Sequence, residues 1–372
     1  MVYLSFLTFP ICIIVIFFVL IISIMNNTDI NDVRIAKDFA GISFSNYKKS
    51  DVKKELLRAI NNNKIEEAFN WSAELICAGH YLELWENIIL ITSKNIHLGN
   101  PKLPIYLNMR FSNFKDIIQN GYTGNELALR NSDKIRKLFA EIITVLCTSN
   151  KKPSFENIKI KKEEFDMISL TSKVKAPDIS YASKVQKPGD PKELFLSINE
   201  LMYCIESKDT LSCYYWIEWI MEFDSMCRKK KELLNCEYRT FVNVEDKFAK
   251  DVIWIVWDAL FLNCTGEIEN KILNNLLSLF MIKYNFSSKK RRRYLLYFAV
   301  EIITETVDLK MDMIPDYDII KKTLSNVNVI YKSIKKNERA PKTDYLFNNV
   351  SGRSNLEKTI EKLDKLNKLI NH

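Results

Sequence analysis

Cys77 and His80 stand three residues apart, a spacing that on a helix sets a thiol one turn from an imidazole, as a nucleophile and its base would be. Gly79 lies between them and no third group orients the ring, so the pair carries no catalytic constellation. Glu66 and Glu67 are adjacent, and adjacent helical residues project in different directions, which suits a solvated face rather than acid–base work. The eight cysteines (12, 77, 147, 204, 213, 227, 236, 264) contain no CxxC pair, and His80, His97 and His372 are the only histidines. That leaves too few well-spaced ligands for zinc, so no metal residue is expected. There is no G-x-x-x-x-G-K-[ST], no G-x-G-x-x-G and no G-x-S-x-G, so no cofactor-binding or catalytic residue and no small-molecule substrate is expected either.

One polar feature stands out, the run KKRRR formed by Lys289, Lys290, Arg291, Arg292 and Arg293. As an anion contact it would meet nucleic-acid phosphates, lipid head groups or an acidic partner. As structure it would be a solvated helix start, capped by Ser287 or Ser288, with the apolar YLLYFAV buried behind it.

Helices must position these residues. With 47% hydrophobic and 27% charged residues the chain is globular in composition, and 8 Gly with 9 Pro leave few turn-formers for a many-stranded β protein. Its 372 residues suffice for two bodies of ordinary size, and a net charge of +8 decides nothing alone. The expected fold class is all-α: an N-terminal transmembrane helix followed by two similar helical bodies.

Residues 2–25 carry no charged side chain over 24 positions, about 36 Å as a helix, enough to cover a bilayer core. There is no basic leader and no small-x-small cleavage pattern, so the segment reads as a membrane anchor, not as a signal peptide. Arg34 and Lys37 follow it, which puts the body on the cytosolic side and makes the expected localisation single-pass membrane. The sequon Asn70-Trp71-Ser72 falls inside an apparent core helix and reads as a chance match.

The boundaries read as anchor 1–25, polar lead 26–50, helical domain 51–149, linker 150–192, second helical domain 193–312 and tail 313–372. A shift of 145 lays Glu55, Leu56, Ile60, Ala68, Phe69 and Trp71 on Glu200, Leu201, Ile205, Cys213, Tyr214 and Trp216. FAEIIT (139–144) meets AVEIIT (299–304) at a shift of 160, so the second copy needs extra residues near CRKKKELLNC. What repeats is apolar: Glu74 meets Trp219, and Glu218 meets Ala73. Trp71 and Trp216 are therefore expected to be equivalent core anchors. KKPSF, KVKAPD and KPGDPK make 150–192 a Lys- and Pro-rich linker. The tail ends in an amphipathic stretch with Leu356, Ile360, Leu363, Leu366 and Ile370 on one side, flanked by Glu357, Lys358, Glu361, Lys362 and Lys365, as in helices that pair with a partner or with a second copy.

The series WSAELICAG, LELWENIIL, IHLGNPKLPIYLNMRF, IRKLFAEII, YYWIEWIMEFD, VIWIVWDAL and KRRRYLLYFAVEIITE resembles an uncharacterised protein family of the nucleocytoplasmic large DNA viruses, the giant viruses, over residues 50–310. The resemblance implies a location in the virion or virus factory and brings no assigned activity. Over 55–107 the chain is also similar to the helical collar of clamp-loader-related ATPases, without their ATPase module. The expectation is a non-enzymatic, membrane-anchored helical scaffold or virion-assembly protein acting through protein contacts, with the membrane met through residues 2–25 and with a viral protein partner or self-association. The alternative is a nucleic-acid-associated replication accessory.

Overall fold

The computed structural model describes residues 28–314 and 316–340. Among them the fold is all-α, with two isolated β-bridges (Ile42 to Lys48, His97 to Lys152) and no strand. The first half runs through α1 (Lys49–Asn61), α2 (Ile65–Cys77), α3 (Tyr81–Leu90), a π-helical continuation (Ile91–Ile96), α4 (Leu103–Gln119) and α5 (Asp133–Thr148). A strap with the short α6 (Met167–Thr171) leads to the second half, α7 (Phe195–Glu206), α8 (Thr210–Lys229), α9 (Ile253–Leu262), α10 (Glu267–Met281), α11 (Ser288–Arg291) and α12 (Arg293–Thr304). Two helices close the described chain, α13 (Tyr317–Ser325) and α14 (Val327–Lys335).

Helix starts are set where a short polar side chain satisfies an orphan N–H. Ser132 accepts from Ile135 before α5, Asp209 from Ser212 before α8, and Asp316 from Asp318 and Ile319 before α13. Behind these caps each helix buries an apolar stripe, as α5 does with Ile135, Leu138, Phe139, Ile142 and Ile143.

Helix bounds recur at the shift of 145. α1 and α2 map onto α7 and α8, and the turn between them repeats in its backbone. Asn63 and Lys208 both take positive φ (56° and 57°), and the next N–H reaches five residues back, Lys64 to Ala59 and Asp209 to Cys204, at 2.9 Å in each. α8 then runs two turns longer than α2: the left-handed residue that ends α2 is Gly79, while the one that ends α8 is Lys231. α3 and α9 correspond at a shift of 172, which pairs the buried Trp85 with the buried Trp257. In each half the last long helix packs against the second helix and against the long helix before it, α5 on α2 and α4, α12 on α8 and α10.

The halves do not keep separate cores. Their buried apolar side chains join in one cluster, with α4 packed on α10 and α12 on the π-helical stretch. Within residues 150–192, expected as a linker, the stretch 164–182 is held against the second half: Glu200 accepts from the N–H groups of Lys175 and Ala176, Asn199 binds Ala182 N and Asp178 O, and Trp219 Nε1 donates to Glu164 O. The described part of the tail folds as two helices. α13 packs on α5, and α14 on α2 and α5, so the chain returns to the first half. Tyr331 is buried there, with the Arg136 guanidinium 4.2 Å over its ring and Phe69 at its edge. The described part of the lead is stitched to the same place through Val33 N to Arg339 O and Arg339 N to Asp32 Oδ2.

The single-pass membrane localisation is corrected. Among the described residues no helix is long and apolar enough to cross a membrane, and residues 2–25 lie outside them, as does the stretch 356–370. The core-anchor expectation is corrected at one residue: Trp216 is buried, whereas Trp71 is half-buried and meets Tyr47 edge-on.

Candidate functional site

The basic run is mostly turned inward, and the cations brought under the surface meet carboxylates and carbonyl oxygens that offset the cost of burial. Lys289 is buried between Asp224 (2.5 Å) and Asp251 (2.8 Å), with Arg228 on Asp224 at 2.8 Å and the Tyr284 hydroxyl on Asp251 at 2.9 Å. Asp224 and Arg228 sit on the two extra turns of α8, so the extension brings both a charge and its counter-charge. Lys290 pairs with Glu222 at 2.5 Å, Arg292 is buried against Glu86 and the Phe280 carbonyl, and Arg293 pairs with Glu218 at 3.0 Å. Arg291 alone is exposed, held to the Ser287 hydroxyl at 3.1 Å. As an anion contact, then, the run offers one residue of five. Lys229, Lys230 and Lys231, which directly follow Arg228 at the end of α8, are exposed, and none has a carboxylate within ion-pair distance among the described residues.

A second polar cluster lies where α8, α12 and the π-helical stretch meet. Glu218 accepts from the Tyr297 hydroxyl at 2.8 Å, Glu301 from the Tyr214 hydroxyl, and the two tyrosine rings stack at 4.1 Å. His97 follows the π-helical turn with φ +48°, its ring wholly buried against Phe298 (4.6 Å) and 3.2 Å from Glu301. Backbone bonds Lys152 N to Ile96 O and Ser154 N to Lys94 O pin this turn. Gly99 sits so close to the Asn150 carbonyl that a Cβ would lie 2.3 Å from it, which is why a side chain is missing there.

Burial governs protonation here. It pushes Glu218 up to about 7 against the pull of Arg293 and Tyr297, and it pushes Glu301 up. It takes His97 down to about 3, helped by Lys152, so His97 is neutral near pH 7 and its approach to Glu301 is not an ion pair. Both ring nitrogens lack a hydrogen bond of good geometry, in keeping with that reading. The cluster is closed to solvent and joins the halves. Sequence reasoning missed it, although AVEIIT carried one signal: the matching Glu141 of FAEIIT also accepts from a tyrosine, Tyr106 at 3.1 Å, with Arg110 alongside.

Cys77 and His80 do not act on one another. The thiol is fully buried and its proton affinity is pushed up by burial, while the His80 ring is taken by the Ile42 carbonyl (2.8 Å) and Glu83 (3.1 Å). Among the described residues no three His, Cys, Asp or Glu side chains gather as metal ligands.

Among the described residues, the concave surfaces open to a ligand include a cleft and a groove. A cleft of about 620 Å³ lies between α4 and the end of α10, with Phe111, Phe114, Tyr122 and Met281 on its apolar walls and Lys115 and Lys283 among its polar residues. Neither lysine has a carboxylate within ion-pair distance among the described residues; Lys115 instead approaches the Phe111 ring at 5.5 Å. A groove of about 690 Å³ runs between the start of α2 and the pair α13 and α14. It is lined by Ile65, Phe69, Ile319, Val329 and Ile330, with Glu66 and Lys322 among its polar residues. Comparison with protein-family models, with curated proteins and with solved structures gave no match, so the reading of these surfaces stands on the geometry alone.

Proposed function

We propose that the chain is a doubled helical unit that works as a non-enzymatic scaffold through protein contacts, and that the cleft between α4 and α10 receives a partner. The observation that carries this is where the reactive side chains and the open surfaces lie. Glu218, Glu301, His97, Lys289 and Cys77 are under the surface, whereas the cleft offers aromatic walls and two unpaired ammonium groups. Apolar walls with a few placed charges are the usual make-up of a recognition site, and this one draws on both halves. The chemistry it fits is an acidic segment with an aromatic or aliphatic anchor. The resemblance to a family of the large DNA viruses makes a viral assembly protein the first partner to seek. Lys115→Glu combined with Lys283→Glu should leave the fold intact and abolish co-purification of the partner; an unchanged set of co-purifying proteins speaks against the cleft.

A second reading, a nucleic-acid accessory, is favoured by the exposed Lys229, Lys230 and Lys231. It predicts DNA or RNA binding that weakens steeply with salt and is lost when these three become Glu. Binding that persists in the triple variant removes this reading.

A further inference from the structure

The groove beside α2 has a counterpart in the second half, and there the chain itself fills it. At the shift of 145, Ile65, Glu66, Phe69 and Asn70 correspond to Thr210, Leu211, Tyr214 and Tyr215. Tyr214 is covered by Phe155 of the strap, with ring centroids 6.0 Å apart, and Tyr215 lies under the Lys173 ammonium at 5.4 Å. One turn on, Trp219 packs on Phe165 and donates to the Glu164 carbonyl. In the first half, α14 brings Tyr331 to Phe69, yet among the described residues the groove beside that contact stays open and Val329 on its wall is 68% exposed.

We propose that residues 354–370 of the same chain occupy this groove, seating Leu356, Ile360, Leu363, Leu366 and Ile370 on Ile65, Phe69, Ile319, Val329 and Ile330. Three observations choose this occupant. The described chain ends at Ala340, with Arg339 pinned to Asp32 and Val33 just after α14, which forms one wall. The next 13 residues, 341–353, can span up to about 45 Å, several times the roughly 13 Å length of α14, so reach is ample. The stretch then supplies one apolar stripe flanked by Glu357, Lys358, Glu361 and Lys362, charges of both signs to meet Lys322 and Glu66. An apolar stripe of this length is marginal alone in water and gains from such a seat.

The groove and the cleft lie on different elements, so this inference goes beyond the reading above and either can fail alone. The test compares the full chain with its Leu363→Asp and Val329→Asp variants by hydrogen exchange. Amides of 65–70 and 319–333 should exchange at least about tenfold faster in both variants, with the cleft helices unchanged. A synthetic peptide of residues 354–372 should bind the Leu363→Asp chain and leave the wild type unbound, where the seat is taken. Equal exchange in wild type and Leu363→Asp, or equal peptide binding to both, overturns the proposal. So does protection that disappears on dilution together with a dimer, since the seat would then belong to a second copy.

Discussion

Glu55 and Glu200 occupy the same position of the same helical hairpin and live in different worlds. Glu55 is on the surface, paired with Arg58 one turn away, whereas Glu200 is fully buried and accepts from two backbone N–H groups of the strap. The tryptophans show the same split, Trp216 inside and Trp71 at the edge. The apolar skeleton of the hairpin is common to both halves; what covers it is not. The strap covers the second copy, the described part of the lead and the helices α13 and α14 cover the first, and the polar residues differ in role accordingly.

The largest expected effects come from the skeleton. Trp85→Ala, Trp257→Ala and Trp216→Ala should each cost about 3–5 kcal/mol in urea unfolding, as loss of a buried aromatic does, while Trp71→Ala costs about 1 kcal/mol. Equal costs at Trp71 and Trp216 would break the comparison.

Lys289→Met should be nearly as severe, about 3–5 kcal/mol, because it leaves Asp224 and Asp251 buried with Arg228 as their one remaining cation among the described residues. The first half lacks the two extra turns that carry Asp224, so no single change there has this signature. A thermal midpoint close to wild type would mean that the acids are solvated and the cluster is not closed.

Glu200→Ala should cost about 1–3 kcal/mol through the two unsatisfied strap N–H groups, and Glu55→Ala about 0–0.5 kcal/mol, in keeping with an exposed pair. Proteolysis of the strap at 173–176 offers an independent reading: faster cleavage is expected in the first variant only.

The last effect is a slope with pH. Glu218 holds its proton up to about 7 in the folded chain against an ordinary value of 4.5. The folded state therefore binds more protons than the unfolded one between those values, and the Glu218 contribution is present below about 4.5 and is lost as pH rises through about 7. The stability of wild type relative to Glu218→Gln should fall by about 1–3 kcal/mol across that window. His97, depressed to about 3, has the opposite sign: its contribution is present above the ordinary value of 6.5 and is lost as pH falls toward 3. A flat difference curve for Glu218→Gln would show that the α8 and α12 junction is open to water.

The hairpins were legible in the sequence because buried apolar residues at 3-and-4 spacing repeat at one shift, and backbone geometry follows from them. The strap was not, since its attachment is made by side chains such as Glu200 and Asn199 that accept from or donate to irregular backbone, and such contacts leave no period. KKRRR misleads for a related reason: a charge run looks like surface, and its partners Asp251, Asp224, Glu222, Glu218 and Glu86 lie 38 to 206 residues away in the chain. The π-helical turn and the buried His97 carried no sequence signal at all, and the cleft exists only once α4 and α10 meet.

The scaffold reading is tested most directly by quantitative capture with three full-length chains: wild type, Lys115→Glu with Lys283→Glu, and the triple Glu variant of Lys229, Lys230 and Lys231. The account predicts a protein partner that stays with wild type and the triple variant, survives nuclease and is lost from the cleft variant. A partner kept by the cleft variant, lost from the triple variant and released by nuclease would contradict it.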